Sequence, residues 1–259
     1  MEKTINYVSR PQNHQIHFKN LLEGADAADK YILDGTYFEN TQDYFNVLLS
    51  WLRPNDVFWD IGAYIGTFSI PFAIEGINVH AFEGFPYNFE RLKINCAPYK
   101  NITPHLCALS NENKKIISKF GDCTSLEHEP TEIQYYIFDE YQKKHKIPLP
   151  RVIKMDIEGM ESLALLGMKE LLENVRPIWQ IGYHHPGNIL IENPEQKIEG
   201  YPGFVIPEEG GFDFETFKRL GYVVFDLRHE SGEPKRSKFR WGDCNGEYLC
   251  LPKEKIKRR

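Results

Sequence analysis

Residues 57–69 read "VFWDIGAYIGTFS": a short apolar run ending in an acid, Asp60, then two glycines four apart, Gly62 and Gly66, then an apolar pattern at helical spacing. That order predicts a strand, a tight turn and the start of a helix. In an open parallel sheet ligands collect outside the carboxyl ends of the strands, and the first such turn is the usual cradle. Gly62 permits the turn and a close approach, and Gly66 lets the helix start near the sheet.

Working outward, "DVFWDI" (56–61), "NVHAFE" (78–83), "ITPHLCAL" (102–109), "RVIKMDI" (151–157), "PIWQIGY" (177–183), "YVVFDL" (222–227) and "EYLCLP" (247–252) read as seven strands. Helical patterns fit 66–75, 86–97, 132–146, 160–174 and 213–220. Strands alternating with helices predict an α/β fold with a mostly parallel sheet. The last two strands have no long helix between them, so they are expected to pair as an antiparallel hairpin. Residues 1–50 lack the alternation and read as an N-terminal extension or lid, with "TQDYFNVLLSWL" as a helix entering the core. Residues 51–252 form the main domain, and 253–259 a basic tail that reads as a solvated terminus. The Pro- and Gly-rich stretch 184–212 is too long for an ordinary connection and has the length of a lid or binding loop.

At 259 residues the chain suits a single core, which can grow to about 250–300 residues before it splits. Its 26% charged and 41% hydrophobic residues are ordinary for a globular protein. No apolar run approaches the ~20 residues of a membrane span, and the first residues lack a signal-peptide core, so a cytoplasmic protein is expected. Five cysteines, at 96, 107, 123, 244 and 250, form no CxxC pair and fit reduced thiols. A net charge of −6 argues against a broad nucleic-acid footprint, so no DNA partner is expected.

The cofactor follows from spacing. A dinucleotide fold normally carries GxGxxG, so that a pyrophosphate rests on the helix amino end. The GxxxG here, with an acid just before it, disfavours a pyrophosphate and suits S-adenosylmethionine, whose amino group and sulfonium are positive. A second acid, Glu83, ends the next strand 23 residues after Asp60, near the usual interval of about 20 for a carboxylate that accepts ribose hydroxyls.

Three blocks, "RPNDVFWDIGAYIGTFSI", "HAFEGFPYNFERLKINC" and "VIKMDIEGMESLALLGM", together resemble the FkbM-type S-adenosylmethionine-dependent methyltransferases. The third carries the family's Lys-x-Asp-x-Glu-Gly strand end as Lys154, Asp156, Glu158 and Gly159, followed by Glu161 and Gly167; "YIFDEYQ" around Asp139 and "FKRLGYVVFDL" also match. The resemblance covers roughly residues 35–252. It implies a class I methyltransferase (Rossmann-like) fold and methyl transfer to a hydroxyl, usually on a sugar or other small metabolite. It places Asp60, Gly62, Ala63 and Gly66 along the methionine part of the cofactor and Glu83 at its ribose. Asp122, Cys123 and Ser125 fall where related enzymes contact adenine, and Asn88 matches a helix position that packing explains equally well. There is one departure: where the family often ends a strand Glu-x-His, "IWQIGYHHPG" has Gly182 in place of the acid and keeps His184.

Methyl transfer from a sulfonium is an in-line displacement, so alignment dominates and a general base assists a hydroxyl acceptor. Asp156, Glu158 and His184 are the catalytic candidates, with His185 beside them. On an extended segment Asp156 and Glu158 point the same way, which suits acceptor hydroxyls, a divalent ion or Lys154. Glu161 reads as a capping partner. Tyr64, Phe85, Tyr87, Tyr183, Tyr201 and Trp241 lie in or beside the proposed loops, where rings stack on sugars or fill the core. Rival readings are a nicotinamide oxidoreductase, which lacks its GxGxxG; a methyltransferase acting on RNA ribose or another metabolite; and a non-catalytic cofactor-binding module.

Overall fold

The computed structural model describes residues 1–8, 13–22, 28–118, 129–183, 214–227, 235–236 and 246–256. An antiparallel hairpin, β1 (Lys3–Val8) and β2 (Asn13–Phe18), precedes helices α1 (Ala28–Asp34) and α2 (Tyr37–Leu49). The alternating part follows: β3 (Val57–Ile61), α3 (Ser69–Ile74), β4 (Asn78–Glu83), α4 (Pro86–Cys96) and β5 (Ile102–Leu106). Next come β6 (Ala108–Ser110), β7 (Lys114–Ser118), β8 (Thr131–Ile137), α5 (Phe138–His145), β9 (Val152–Asp156), α6 (Glu161–Leu166), a π-helical turn at Leu171–Val175, and β10 (Ile178–Tyr183). Helix α7 (Phe214–Arg219), β11 (Tyr222–Asp226), β12 (Lys235–Arg236), β13 (Gly246–Pro252) and α8 (Lys253–Ile256) complete the order.

The main sheet runs β12-β11-β13-β10-β9-β3-β4-β5. From β5 to β10 the neighbours are parallel, and β13 is antiparallel to both β10 and β11. All seven expected strands are present in the expected mixed sheet, with the two-residue β12 added at the edge. The last two strands do pair, and β13 also enters between β10 and β11. After β5 the chain crosses back past β3 to lay down β9, so the strand order reverses between β3 and β9, the place where open α/β sheets carry their ligand crevice.

Period-two alternation divides the core between the faces of the sheet. Phe58 of β3 and Val152 of β9 join one cluster with Ile5, Tyr7, Phe18, Phe45 and Phe72. Trp59, Ile61 and Met155 join the other with Phe82, Phe138 and Trp179. The hairpin and α2 therefore share a core with the central strands. Phe58 and Phe72 stack at 4.1 Å between centroids, the kind of pair that contributes about 0.5–1.5 kcal/mol beyond burial.

Four elements differ from expectation. The run 102–109 is two strands, because the Cys107 N–H turns to the Glu83 carbonyl (2.9 Å) and Ala108–Ser110 then pairs with Tyr135–Ile137. The first half of the expected helix 132–146 is β8, the centre of a second, three-stranded sheet ordered β6-β8-β7. The helix expected over 160–174 is interrupted after Leu166 by a turn at Gly167 and Met168 and continues as the π-helical turn to Val175; Gly167 lies against Ser110, where a Cβ would meet its carbonyl oxygen at 2.3 Å. The hairpin β1–β2 was not anticipated, although Ile5, Tyr7, Ile16 and Phe18 alternate as a half-buried strand pair should.

Candidate functional site

The site begins with the turn after β3. The Gly62 and Ala63 N–H groups both donate to the Phe82 carbonyl at 2.9 Å, binding the turn to the end of β4. Gly62 has φ +76°, and a Cβ there would lie 1.9 Å from the Asp156 carbonyl oxygen; at Gly66, φ +95°, it would meet Cys96 Sγ at 3.0 Å. The space these glycines leave is thus filled by protein, the end of β9 and helix α4, and packing alone demands them. Ala63 is buried beside them.

Glu83, at the end of β4, is nearly buried and held by two backbone donors, Tyr64 N–H to Oε2 and Phe85 N–H to Oε1, both 2.9 Å. An ionised carboxylate only accepts hydrogen bonds, so it suits a ligand that brings hydroxyl donors. The ribose hydroxyls of S-adenosylmethionine are donors of the kind such a carboxylate accepts. Glu83→Ala is expected to weaken S-adenosylhomocysteine binding about ten- to a hundredfold, since hydrogen bonds to a charged group contribute about 1.5–3 kcal/mol; isothermal calorimetry measures it, and unchanged affinity would remove Glu83 from the site.

Tyr64 adopts a left-handed backbone, φ +52°, which costs a non-glycine residue roughly 1–2 kcal/mol. Its phenol donates to Asp29 and accepts from Arg91 Nη1 at 3.3 Å. Burial, then the Asp29 carboxylate, pushes that phenol upward, so it remains a donor.

On the face of the sheet toward α2, polar groups replace the apolar core at the carboxyl end. Asp60 is fully buried, accepts from Ser69 Oγ at 2.6 Å and lies 3.6 Å from Lys154 Nζ. Burial raises the Asp60 carboxyl, against the pull of Lys154 and the Ser69 hydroxyl. Lys154 donates to the Gly62 carbonyl at 3.0 Å and lies 3.9 Å from Asp156 Oδ2. Burial opposes its charge most strongly, yet Asp156, Asp60, Glu247 and Glu158 together outweigh it and hold the ammonium above the ordinary lysine value.

Strand register explains the company around Asp156: it sits opposite Gly182 of β10, which in turn faces Glu247 of β13. A Cβ on Gly182 would meet the Asp156 carboxyl carbon at 2.9 Å, so the glycine gives that side chain its room. Gln180 donates to Glu247. Burial raises the Tyr37 phenol, with Asp60, Asp156 and Glu247 adding to the effect and a Thr67 hydrogen bond opposing it.

Asp156 and Glu158 do not continue one extended segment. Glu158 is left-handed, φ +55°, in a turn that leads into α6, so the expected same-side pairing of the two carboxylates is lost. Glu161 caps that turn, accepting from Ile157 N–H and Gly159 N–H at 3.0 Å each. Asn88 is buried and accepts from Arg91 Nη1 at 3.1 Å, a packing role. Asp122, Cys123, Ser125, His184, His185, Tyr201 and Trp241 lie outside the described residues. Among the described residues no cluster of three or more His, Cys, Asp or Glu is arranged to hold a metal, and no helix is long and apolar enough to cross a membrane. Sequence reading missed Tyr37, Glu247 and the Asp29–Arg91 pair, which only chain topology brings here.

Residues 60–222, more than half of the chain, match the methyltransferase FkbM domain family. The chain belongs to this family. Among its relatives is the hexuronic acid methyltransferase AglP of Haloferax volcanii, 34% identical over 143 residues, a match spanning 52% of this chain and 59% of that protein. A crystal structure of the methyltransferase FkbM from Methylobacillus flagellatus KT aligns with 89% of this chain and 56% of its own at 19% identity and a TM-score of 0.45. A precorrin-6y C5,15-methyltransferase from Geobacter metallireducens GS-15 aligns over 81% and 86% at 14% identity and a TM-score of 0.43. Family membership makes S-adenosylmethionine the cofactor.

Proposed function

We propose that the protein is an S-adenosylmethionine-dependent O-methyltransferase acting on a hydroxyl of a sugar or glycan-related small molecule. The observation that carries this reading is the pairing of Glu83, fixed for a ribose by two backbone N–H groups, with Asp156, which lies across Gly182 at the neighbouring strand end. The sugar class is supported by the relative named for hexuronic acid. When bound, the cofactor supplies an electrophilic methyl group. The protein then orients the acceptor hydroxyl and takes up its hydrogen. Asp156 is the acceptor-side base in this reading, Lys154 and Asp60 brace it from below, and Gly182 leaves room for the acceptor as well as for the carboxylate. Glu158 and His184 remain proposed partners of Asp156.

A cytoplasmic location fits the buried free thiols of Cys96, Cys107 and Cys250. The first fifty residues serve as an extension packed on the methyltransferase domain, and 253–259 as a basic tail. Calorimetric titration with S-adenosylhomocysteine, with NAD as control, tests the cofactor; binding of NAD alone would overturn the reading. Transfer of labelled methyl to a panel of methyl glycosides then tests the acceptor. Asp156→Asn is expected to lower turnover at least about a hundredfold, the lower range for a general base, while S-adenosylhomocysteine affinity changes by only a few-fold. Equal turnover would remove Asp156 from the chemistry.

A further inference from the structure

Within the glycine turn Tyr64 is the residue that takes a left-handed backbone without being glycine, and its side chain holds it there. The phenol donates to Asp29, and the Arg91 guanidinium carbon lies 5.1 Å from the ring centroid. Asp29 is itself fully buried: it pairs with Arg91 Nη2 and accepts the Leu22 N–H at 2.8 Å. Arg91, also buried, reaches on to the Asn20 carbonyl through Nε at 2.9 Å. At the other end of the same residue, the Tyr64 N–H donates to Glu83 Oε2 at 2.9 Å. A connected path therefore runs from Asp29 to the Tyr64 phenol, through a backbone that would otherwise relax, to the carboxylate at the end of β4.

We propose that Asp29 is a positioning residue for the cofactor: through the Tyr64 side chain it keeps the glycine turn in the conformation that presents Glu83 to the ribose. The N-terminal segment is then part of the cofactor site rather than only its cover. This rests on the reading that Glu83 receives the ribose. A merely structural Asp29–Arg91 pair, pinning α1 against α4, would affect melting alone, and Tyr64→Phe separates the two roles because it keeps the ion pair and the ring.

The experiment is calorimetric titration of S-adenosylhomocysteine into the wild type, Glu83→Ala, Tyr64→Phe and Asp29→Asn, with a ligand-free melting curve for each. Tyr64→Phe is expected to weaken binding roughly tenfold, because binding must then restore the turn, and to lower the melting temperature by about a few degrees for the lost hydrogen bond; Asp29→Asn shifts affinity in the same direction. Wild-type affinity in Tyr64→Phe alongside lost affinity in Glu83→Ala would overturn this inference and leave the ribose assignment standing. Wild-type affinity in Glu83→Ala would overturn both. Should Asp29→Asn fail to fold, Tyr64→Phe decides alone.

Discussion

Gly62→Ala is expected to destabilise the protein by more than about 4 kcal/mol, the range reached when a substitution has no room to relax. The new methyl would lie 1.9 Å from the Asp156 carbonyl oxygen and 2.9 Å from its carbon, both backbone atoms at the end of β9. Relief requires the turn or the strand to move. The left-handed backbone at φ +76° adds roughly 1–2 kcal/mol. For a chain of this size each kcal/mol shifts the melting temperature by roughly 2–4 °C, so a fall of more than about 8 °C should appear in a thermal melt. Gly76→Ala is the control: its φ is +78°, but the nearest atom to a Cβ is Pro54 Cβ at 3.5 Å. The control should show the backbone cost alone, and equal melting of the two variants would refute the steric account.

Lys154→Met has the second large effect, and its size depends on pH. The ammonium is the buried cation placed between Asp60 and Asp156; removing one partner of such a group typically costs about 3–5 kcal/mol, because the remaining charge is left uncompensated. Burial already holds the folded Asp60 carboxyl above its ordinary value, with Lys154 opposing the shift. A group raised in this way contributes its stability fully below its unfolded value and loses it as pH rises through the folded one. Without Lys154 the folded value climbs further. The variant's deficit against the wild type should therefore be largest at the alkaline end of a pH series and shrink toward the acid end as Asp60 takes up a proton. Urea unfolding of both proteins across that series measures it; a deficit unchanged by pH would mean that Lys154 acts by packing alone.

Local chemistry made much of this molecule legible from its sequence, and distance along the chain hid the rest. The turn at Asp60–Gly66, Glu83 at a strand end and Lys154–Asp156 each announce themselves within a few residues. The sheet was readable because β3, β9 and β10, covered on both faces, are short apolar runs. Strand β8 was not, since "TEIQYYI" mixes helix formers with its alternation, and its pairing with Ala108–Ser110 and Lys114–Ser118 supplies the preference. Glu158 was misplaced because the extended geometry assumed after Asp156 ends at a left-handed residue. Glu247 faces Gly182 only because β13 inserts beside β10, and Asp29 reaches Tyr64 only because α1 folds back over α4. No local pattern encodes either meeting.

The position of β13 also matters while the chain is being made. A ribosome releases β10 and β11 before β13, yet β13 is the strand that must lie between them. Until it arrives, β10 presents an unpaired edge and β11 has no place in the sheet, a state open to pairing with other chains. A nascent chain, or one cut within 227–245, thus lacks more than one strand: it cannot seat β11, and it lacks the Glu247 that faces Gly182. Completion of the sheet and the arrival of Glu247 beside Gly182 are the same late event, so a chaperone that shields the β10 edge would protect both.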